Sequence, residues 1–479
     1  MHTTSLFALG GLAASAAAHT IHGALVFARH GDRTTKHYGS QGLTNLGAQQ
    51  MFQVGSFYRS RYLSSESRLR IPGISEFKYD PAQVYASAPD QSILLDSATA
   101  FLQGFYPPVG EDGNAQAAAA QVLANGTSVS TPLAGYQYVT LHGVNDDSPE
   151  TIWLKGDDNC PAQASASASY RSSAEYQSLL ASTRDFYRSL HPLLSDVYPS
   201  ASDLSYASAY DIFDLVNVAR VHNASSSSSS SPPVSDTTLD QLRALASTFS
   251  FGANFNASQP ARSIHGATFA GAVLAHLNRT VALGDPKFTL LTGSYDTFLA
   301  FFGLAGLPAA SADFSGLPEY ASTMAFEVFS HDDVLRTPDD ARVRFLFRNG
   351  TGDAAELTPF PLFGLGREEL GWGEFVRAMQ GLAVTSVEGW CDACGSEAPF
   401  CRALGRVGAD GVLGEGVKDK VDRAAWIAVV VVMAVALAGN AVWAGLWVKE
   451  RRERAERRRL AAAVGMAKET ESVRSGESV

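Results

Sequence analysis

No charged residue stands between Ala424 and Val448, and this run constrains every other reading of the chain. A helix of this length is long enough to cross the roughly 30 Å hydrocarbon core of a bilayer. Trp426 marks one edge, Trp443 and Trp447 the other, where amphipathic rings favour the interface. Lys449 to Arg459 follows as KERRERAERRR. A basic flank directly after a span stays cytoplasmic, and it also suits anionic headgroups. At the other end, MHTTSLFALGGLAASAAAHT carries no acid and closes its apolar run with Ala16, Ala17 and Ala18. This predicts a secretory signal over 1–18, cleaved near His19, because the run is too short for a permanent span. The two signals agree on one topology. A luminal or extracellular domain covers 19–402, a linker 403–423, a membrane helix 424–448 and a cytoplasmic tail 449–479. The cell surface and the vacuole are both open as destinations.

A domain in that compartment meets oxidising conditions, so Cys160, Cys391, Cys394 and Cys401 are expected as disulfides. Four cysteines allow three pairings. The short spacing favours Cys391–Cys394, which leaves Cys160 for Cys401. CDACGSEAPFC lacks a fourth close ligand, so no metal is expected there. Asn125, Asn223, Asn256 and Asn278 each open an N-x-Ser/Thr sequon, a glycosylation signal in a luminal domain. The formal charge of -11 argues against nucleic acid as a partner. Nothing in the sequence reports an oligomeric state.

Between the membrane signals, short apolar runs alternate with helical stretches. Ala24–Arg29 (ALVFAR) reads as a buried strand running into a loop at Gly31. Leu43, Leu46, Met51, Val54 and Tyr58 follow near helical spacing. Gln83–Ser87 is a second strand, and Asp90 is placed to N-cap a helix through Ala100. From about Ser165 to Leu277 the pattern is mostly helical, interrupted by a serine run and Pro232-Pro233 over 225–233, a flexible surface loop. Phe288–Leu291 reads as a strand broken at Gly293, with a helix from Thr297. Ala325–Phe329 and Val343–Phe347 read as a hairpin. Alternation of this kind predicts an α/β sheet with its active loops at the strand ends.

The chemistry concentrates in Arg29-His30-Gly31-Asp32-Arg33, directly after the first strand. Guanidinium forks bind phosphate oxygens at two points. An imidazole can attack phosphorus and divide hydrolysis into two displacements. VFARHGDR resembles the signature RHGxRxP of the histidine acid phosphatase family, with Thr35 where proline is usual. LTNLGAQQMFQVGSFYRSRY resembles that family's LTxxG helix, and ILLDSATAFLQGFYPP its segment ending in GLxPP. YDIFDLVN (Tyr210–Asn217) resembles the helical cap, and PEYASTMAFEV (Pro318–Val328) the late strand. The likeness runs in order over roughly 24–402.

The resemblance implies a phosphoglycerate-mutase-like mixed sheet core flanked by helices. A helical cap over about 145–260 is inserted between core segments near 19–140 and 262–402. It implies His30 as the nucleophile that forms phosphohistidine, Arg29 and Arg33 as phosphate ligands, and Asp296 as general acid. No cofactor or metal is implied; the partner is a phosphate monoester or another phosphorylated ligand. Two positions depart from the pattern. Gln91 stands where an arginine is usual, and Tyr295 precedes Asp296 where a histidine is usual. Both can donate hydrogen bonds to phosphate but carry no fixed charge. Ser330-His331-Asp332-Asp333 contains a literal His-Asp, but it follows the late strand and reads as a polar turn. The changed ligands leave open two functions: hydrolysis, and a degenerate ectodomain that binds a phosphorylated ligand or a protein partner without turnover.

Overall fold

The computed structural model describes residues 19–110, 113–223, 234–352 and 355–409. Strand β1 (Thr20–Arg29) contains the ALVFAR run. Leu25 and Phe27 enter one apolar cluster, while Ala24, Val26 and Ala28 enter another. This is the alternation of a central strand covered on both faces. Helix α1 (Asn45–Tyr62) is N-capped by Thr44, whose hydroxyl accepts from Gly47 N–H. Met51, Val54 and Tyr58 face the core as their spacing predicts, but Leu46 is exposed at the first turn.

Strand β2 (Val84–Pro89) leads into helix α2 (Ser92–Phe105). The expected Asp90 cap is not formed. Asp90 N–H donates to Val144 O at 2.8 Å, and Gln91 takes the cap position without a side-chain bond. The backbone of Asp90 is still engaged with strand β3 (His142–Val144), which pairs with β2, so the helix opens later. Beyond Val144 the described residues are helices and turns until residue 288. They include α3 (Pro161–Ser169), α4 (Ala209–His222), α5 (Asp236–Asn254) and α6 (Ile264–Leu283). Residues 225–233 lie outside the described residues.

Strand β4 (Phe288–Gly293) then breaks into helix α7 (Tyr295–Leu304), which opens at Tyr295 rather than Thr297. Strands β5 (Thr323–Ser330) and β6 (Arg342–Arg348) form the expected hairpin, from Thr323↔Arg348 to Phe329↔Arg342. Short strands β7 (Thr358–Phe360) and β8 (Glu369–Gly371) both pair with β6. The sheet runs β8-β6-β5-β1-β4-β2-β3. One half is parallel (β1, β4, β2, β3) and the other antiparallel, giving the mixed α/β sheet expected. Ser330 pairs with Thr20, so Ser330–Asp333 lies at the opposite end of β1 from His30, about 30 Å of strand away.

The disulfide pairing differs from expectation. Cys160 joins Cys394, and Cys391 joins Cys401, with Cα–Cα distances of 4.7 and 5.5 Å. Cys391 and Cys394 share helix α8 (Val387–Cys394), and each is turned to a different neighbour. Cys394 is buried with Ile152, Trp390 and Cys160. Cys391 meets Cys401 on helix α9 (Pro399–Ala409). Loop length had suggested the near pair; helix packing selects the crossed one. Helix α9 also occupies the first residues of the expected linker. Among the described residues no helix is long and apolar enough to cross a membrane. The signal over 1–18, the span over 424–448 and the tail over 449–479 lie outside the described residues.

Candidate active site

Three parallel strands bring the site together. Arg29 of β1 pairs with Gly293 of β4, and Ser87 of β2 lies level with Leu291 of β4. The residues that leave these strand ends, His30, Gln91 and Asp296, therefore emerge side by side, the usual position of a site in an open parallel sheet. All three line one cavity of about 270 Å³. Gly31 holds the loop in place by close approach. A Cβ there would lie 2.3 Å from Gly47 O, and one on Gly47 would lie 2.0 Å from Asp32 O. The loop after β1 thus crosses the first turn of α1 with no room for a side chain on either residue.

His30 is 3% exposed. Its Nδ1 lies 2.9 Å from Gly31 O. A carbonyl oxygen only accepts, so Nδ1 carries the proton and Nε2 keeps its lone pair. Burial lowers the His30 pKa well below 6.5, and the charges of Arg29, Arg33 and Lys36 lower it further, against the opposing Gly31 bond. The imidazole is neutral and its free nitrogen is unprotonated. Asp296 accepts from Asn254 Nδ2 at 3.2 Å and from Ser294 Oγ at 3.1 Å. Its backbone oxygen accepts from His265 Nε2 at 3.1 Å.

The two arginines of the motif flank His30 but do not line the cavity. Arg33 is fully buried. It donates to Asp214 at 2.8 and 3.2 Å, to Tyr210 OH at 3.1 Å and to Thr34 O at 2.8 Å. Arg29 donates to Pro318 O and lies 4.5 Å from the ring centre of Tyr320. Tyr295 is stacked on Tyr210 at 4.8 Å and stands 5.3 Å from the Arg29 guanidinium. Burial pushes the Tyr295 hydroxyl well above its ordinary range, and Asp296 and Tyr210 add to the shift, so Tyr295 is a neutral donor. Gln91 lines the cavity as the departure from pattern suggested.

Three contributors escaped the sequence reading. Lys36 lines the cavity, with its ammonium 5.0 Å from the Tyr295 ring centre and 5.2 Å from that of Tyr210. Burial lowers its pKa, Asp296 opposes the shift, and the motif arginines reinforce it. Its signal was legible, since it follows Arg33 by three residues in the same loop. Asp214, which holds Arg33, lies inside the YDIFDLVN segment. Asp157 also lines the cavity, and it had no signal beyond an acidic pair. Among the described residues no group of three His, Cys, Asp or Glu side chains is arranged to hold a metal ion.

Comparisons with known proteins agree on one family. The chain is 23% identical to the lysosomal acid phosphatase of Xenopus laevis, with 70% of each chain covered. It is 25% identical to human prostatic acid phosphatase over 71% of this chain and 78% of the other. Among solved structures, a Klebsiella phytase superposes with a TM-score of 0.51 at 13% identity, covering 77% of this chain and 95% of that one. A Hafnia alvei phytase in complex with tartrate superposes with a TM-score of 0.50 at 12% identity, over 78% and 99%. At such identities these structures speak for the fold alone. Residues 37–348, well over half of the chain, match the histidine phosphatase superfamily (branch 2). With the strand-end histidine, the mixed sheet and the matched sequence in agreement, the chain belongs to that superfamily.

Proposed function

We propose that the chain hydrolyses phosphate monoesters through a phosphohistidine on His30. The observation that carries this reading is the fixed tautomer: Nδ1 is tied to Gly31 O, Nε2 has no hydrogen-bond partner among the described residues, and His30 lines a cavity shared with Asp296. Nε2 attacks phosphorus, the bond from phosphorus to the ester oxygen breaks, and Asp296 gives that oxygen its proton as the alcohol leaves. Water then attacks the phosphohistidine, returns a proton to Asp296 and releases inorganic phosphate. Lys36 supplies positive charge at the cavity wall beside neutral Gln91 and Tyr295. Loss of one preorganised donor costs roughly 3–4 kcal/mol of transition-state stabilisation, so turnover is slower than with a full set of cations.

A second reading is favoured by one specific contact. Asp214 already fills the fork of Arg33, which is consistent with an ectodomain that binds a phosphorylated ligand or protein partner without turnover. We also assign the chain to the secretory pathway as a single-pass membrane protein. The oxidised cysteine pairs and the exposed side chains of Asn125, Asn223 and Asn278 support that topology.

The test compares the full-length chain with His30→Ala on a panel of phosphomonoesters from acidic to neutral pH. Phosphate release that disappears in His30→Ala, with label trapped on His30, supports hydrolysis. Absence of release from the wild type, with release gained in Gln91→Arg/Tyr295→His, supports the binding reading. Absence of release from both sinks the assignment of these residues.

A further inference from the structure

We propose that signal cleavage before His19 completes a copper(II) site, built from the new α-amine and Nδ1 of His19 together with Nδ1 of His331. The inference goes beyond hydrolysis at His30 and rests on the secretory assignment above. It also gives a role to the Ser330-His331-Asp332-Asp333 segment, which the phosphatase site leaves unused.

The sheet itself brings the two imidazoles together. Thr20 of β1 pairs with Ser330 of β5. The next residues outward, His19 and His331, therefore stand opposite each other in the same antiparallel register, with side chains on one face. Their Nδ1 atoms lie 3.3 Å apart. Imidazole nitrogens bind first-row ions at about 2.0–2.1 Å, so two of them on one ion stand about 2.8–3.4 Å apart. The pair already has the separation of two ligands. Phe329 is fully buried and stands edge to face with both rings, 5.2 Å from His19 and 5.9 Å from His331, which fixes their position. Glu369 Oε2 lies 3.9 Å from Nε2 of His331. A carboxylate there favours the tautomer with its proton on Nε2 and its lone pair on Nδ1, the arrangement that orients metal-binding histidines.

Among the described residues no third His, Cys, Asp or Glu side chain joins the pair as a ligand. The backbone supplies the third donor instead. The apolar run closes with Ala16, Ala17 and Ala18, which puts small residues one and three positions before a cut at His19. That cut frees the α-amine of His19. The amine and Nδ1 of an N-terminal histidine close a chelate ring on one ion through Cα, Cβ and Cγ, whatever the rest of the fold does. His331 then adds its nitrogen from the facing strand. An all-nitrogen set of amine and imidazoles favours Cu(II) among the divalent first-row ions. The surroundings suit a cation. Asp333 accepts from Thr20 Oγ1 at 3.4 Å, and Glu369 stands behind His331. Arg344, 5.0 Å from the Phe329 ring centre, is itself paired with Glu327.

The experiment uses the full chain, made through a secretory route and purified in detergent. N-terminal sequencing reads its first residue, and Cu(II) is titrated against a competing chelator with electron paramagnetic resonance as the second readout. We expect a chain that begins at His19 and binds one Cu(II) tightly, with nitrogen hyperfine structure from the amine and both imidazoles. Two variants are compared: His331→Ala, and a chain with one extra alanine ahead of His19, which moves the amine away. Loss of an outer-shell partner alone costs about 10–100-fold in metal affinity, so each variant, lacking a ligand, is expected to bind about 100-fold more weakly or worse, with fewer coupled nitrogens. Copper-free Tm values equal to wild type would show that the variants fold. A first residue other than His19 overturns the site together with the secretory cut it needs. A chain that begins at His19 but binds Cu(II) no more tightly than either variant overturns the site and leaves the secretory reading standing.

Discussion

Arg33 and Asp214 form a two-point ion pair, at 2.8 and 3.2 Å, and neither residue reaches solvent. Thr35 Oγ1 and Lys36 N–H also donate to Asp214, each at 2.8 Å. The pair ties the loop after β1 to helix α4, on which the Tyr210 ring is stacked against Tyr295. Removing one partner leaves a buried cation without its counter-charge.

Asp214→Ala is therefore expected to lower unfolding free energy by about 3–5 kcal/mol, measured by denaturant titration. The pH dependence has a definite sign. Burial alone would raise the Asp214 pKa, but the bonds and charge of Arg33, with Lys36 N–H and Thr35, hold it below the usual value. A depressed carboxylate contributes stability that is complete above its unfolded pKa near 3.9 and is lost as pH falls through the lower folded value. The stability gap between wild type and Asp214→Asn should be full at pH 6 and narrow below about pH 4.

The nucleophile sets the acid limb of activity. Burial and neighbouring cations depress the His30 pKa, so the imidazole stays neutral well below pH 6.5. The acid limb of kcat/KM, which reports the free enzyme, should lie below 6.5 if His30 governs it. A limb at or above 6.5 would contradict the buried neutral imidazole.

Lys36 lines the cavity, its ammonium close to the rings of Tyr295 and Tyr210. Lys36→Gln keeps length and hydrogen bonding but removes charge, and it is expected to lower kcat/KM for phosphomonoesters by about 100-fold. Steady-state kinetics with a neutral ester checks this. An unchanged value would return the charge role to the buried arginines.

Gly31→Ala should dislodge His30 because its Cβ would fall 2.3 Å from Gly47 O, a backbone atom that cannot rotate away. We expect loss of phosphate release together with a lowered Tm. Full activity in this variant would mean that the loop after β1 has slack against α1.

The bridges should differ in worth. Cys160–Cys394 spans 234 residues and Cys391–Cys401 spans 10. Loop-closure entropy places their limits at about 5 and about 3 kcal/mol respectively. Double serine variants of each pair, compared by thermal unfolding, should show the larger loss for Cys160–Cys394. Non-reducing peptide mapping checks the pairing itself.

Much of the fold was legible because its signals are local. Ala24–Arg29 had to be a buried strand, since its apolar run ends in charge and Gly31. Phe288–Leu291 and Ala325–Phe329 followed by the same logic. His30, Gln91 and Asp296 were legible through resemblance and the strand ends they follow, and they do share one cavity.

What the chain determined by itself were runs, breaks and residue types: a histidine between two arginines, four cysteines, a tyrosine before Asp296. Only the tertiary structure decided which groups meet. It turned Arg33 to Asp214, left Lys36 and Asp157 lining the cavity, and crossed the cysteine pairs through helix α8. The reason is physical. Strand and helix periodicity are set by neighbours a few residues away, whereas a buried charge is governed by whatever partner packing brings beside it from 181 residues along the chain.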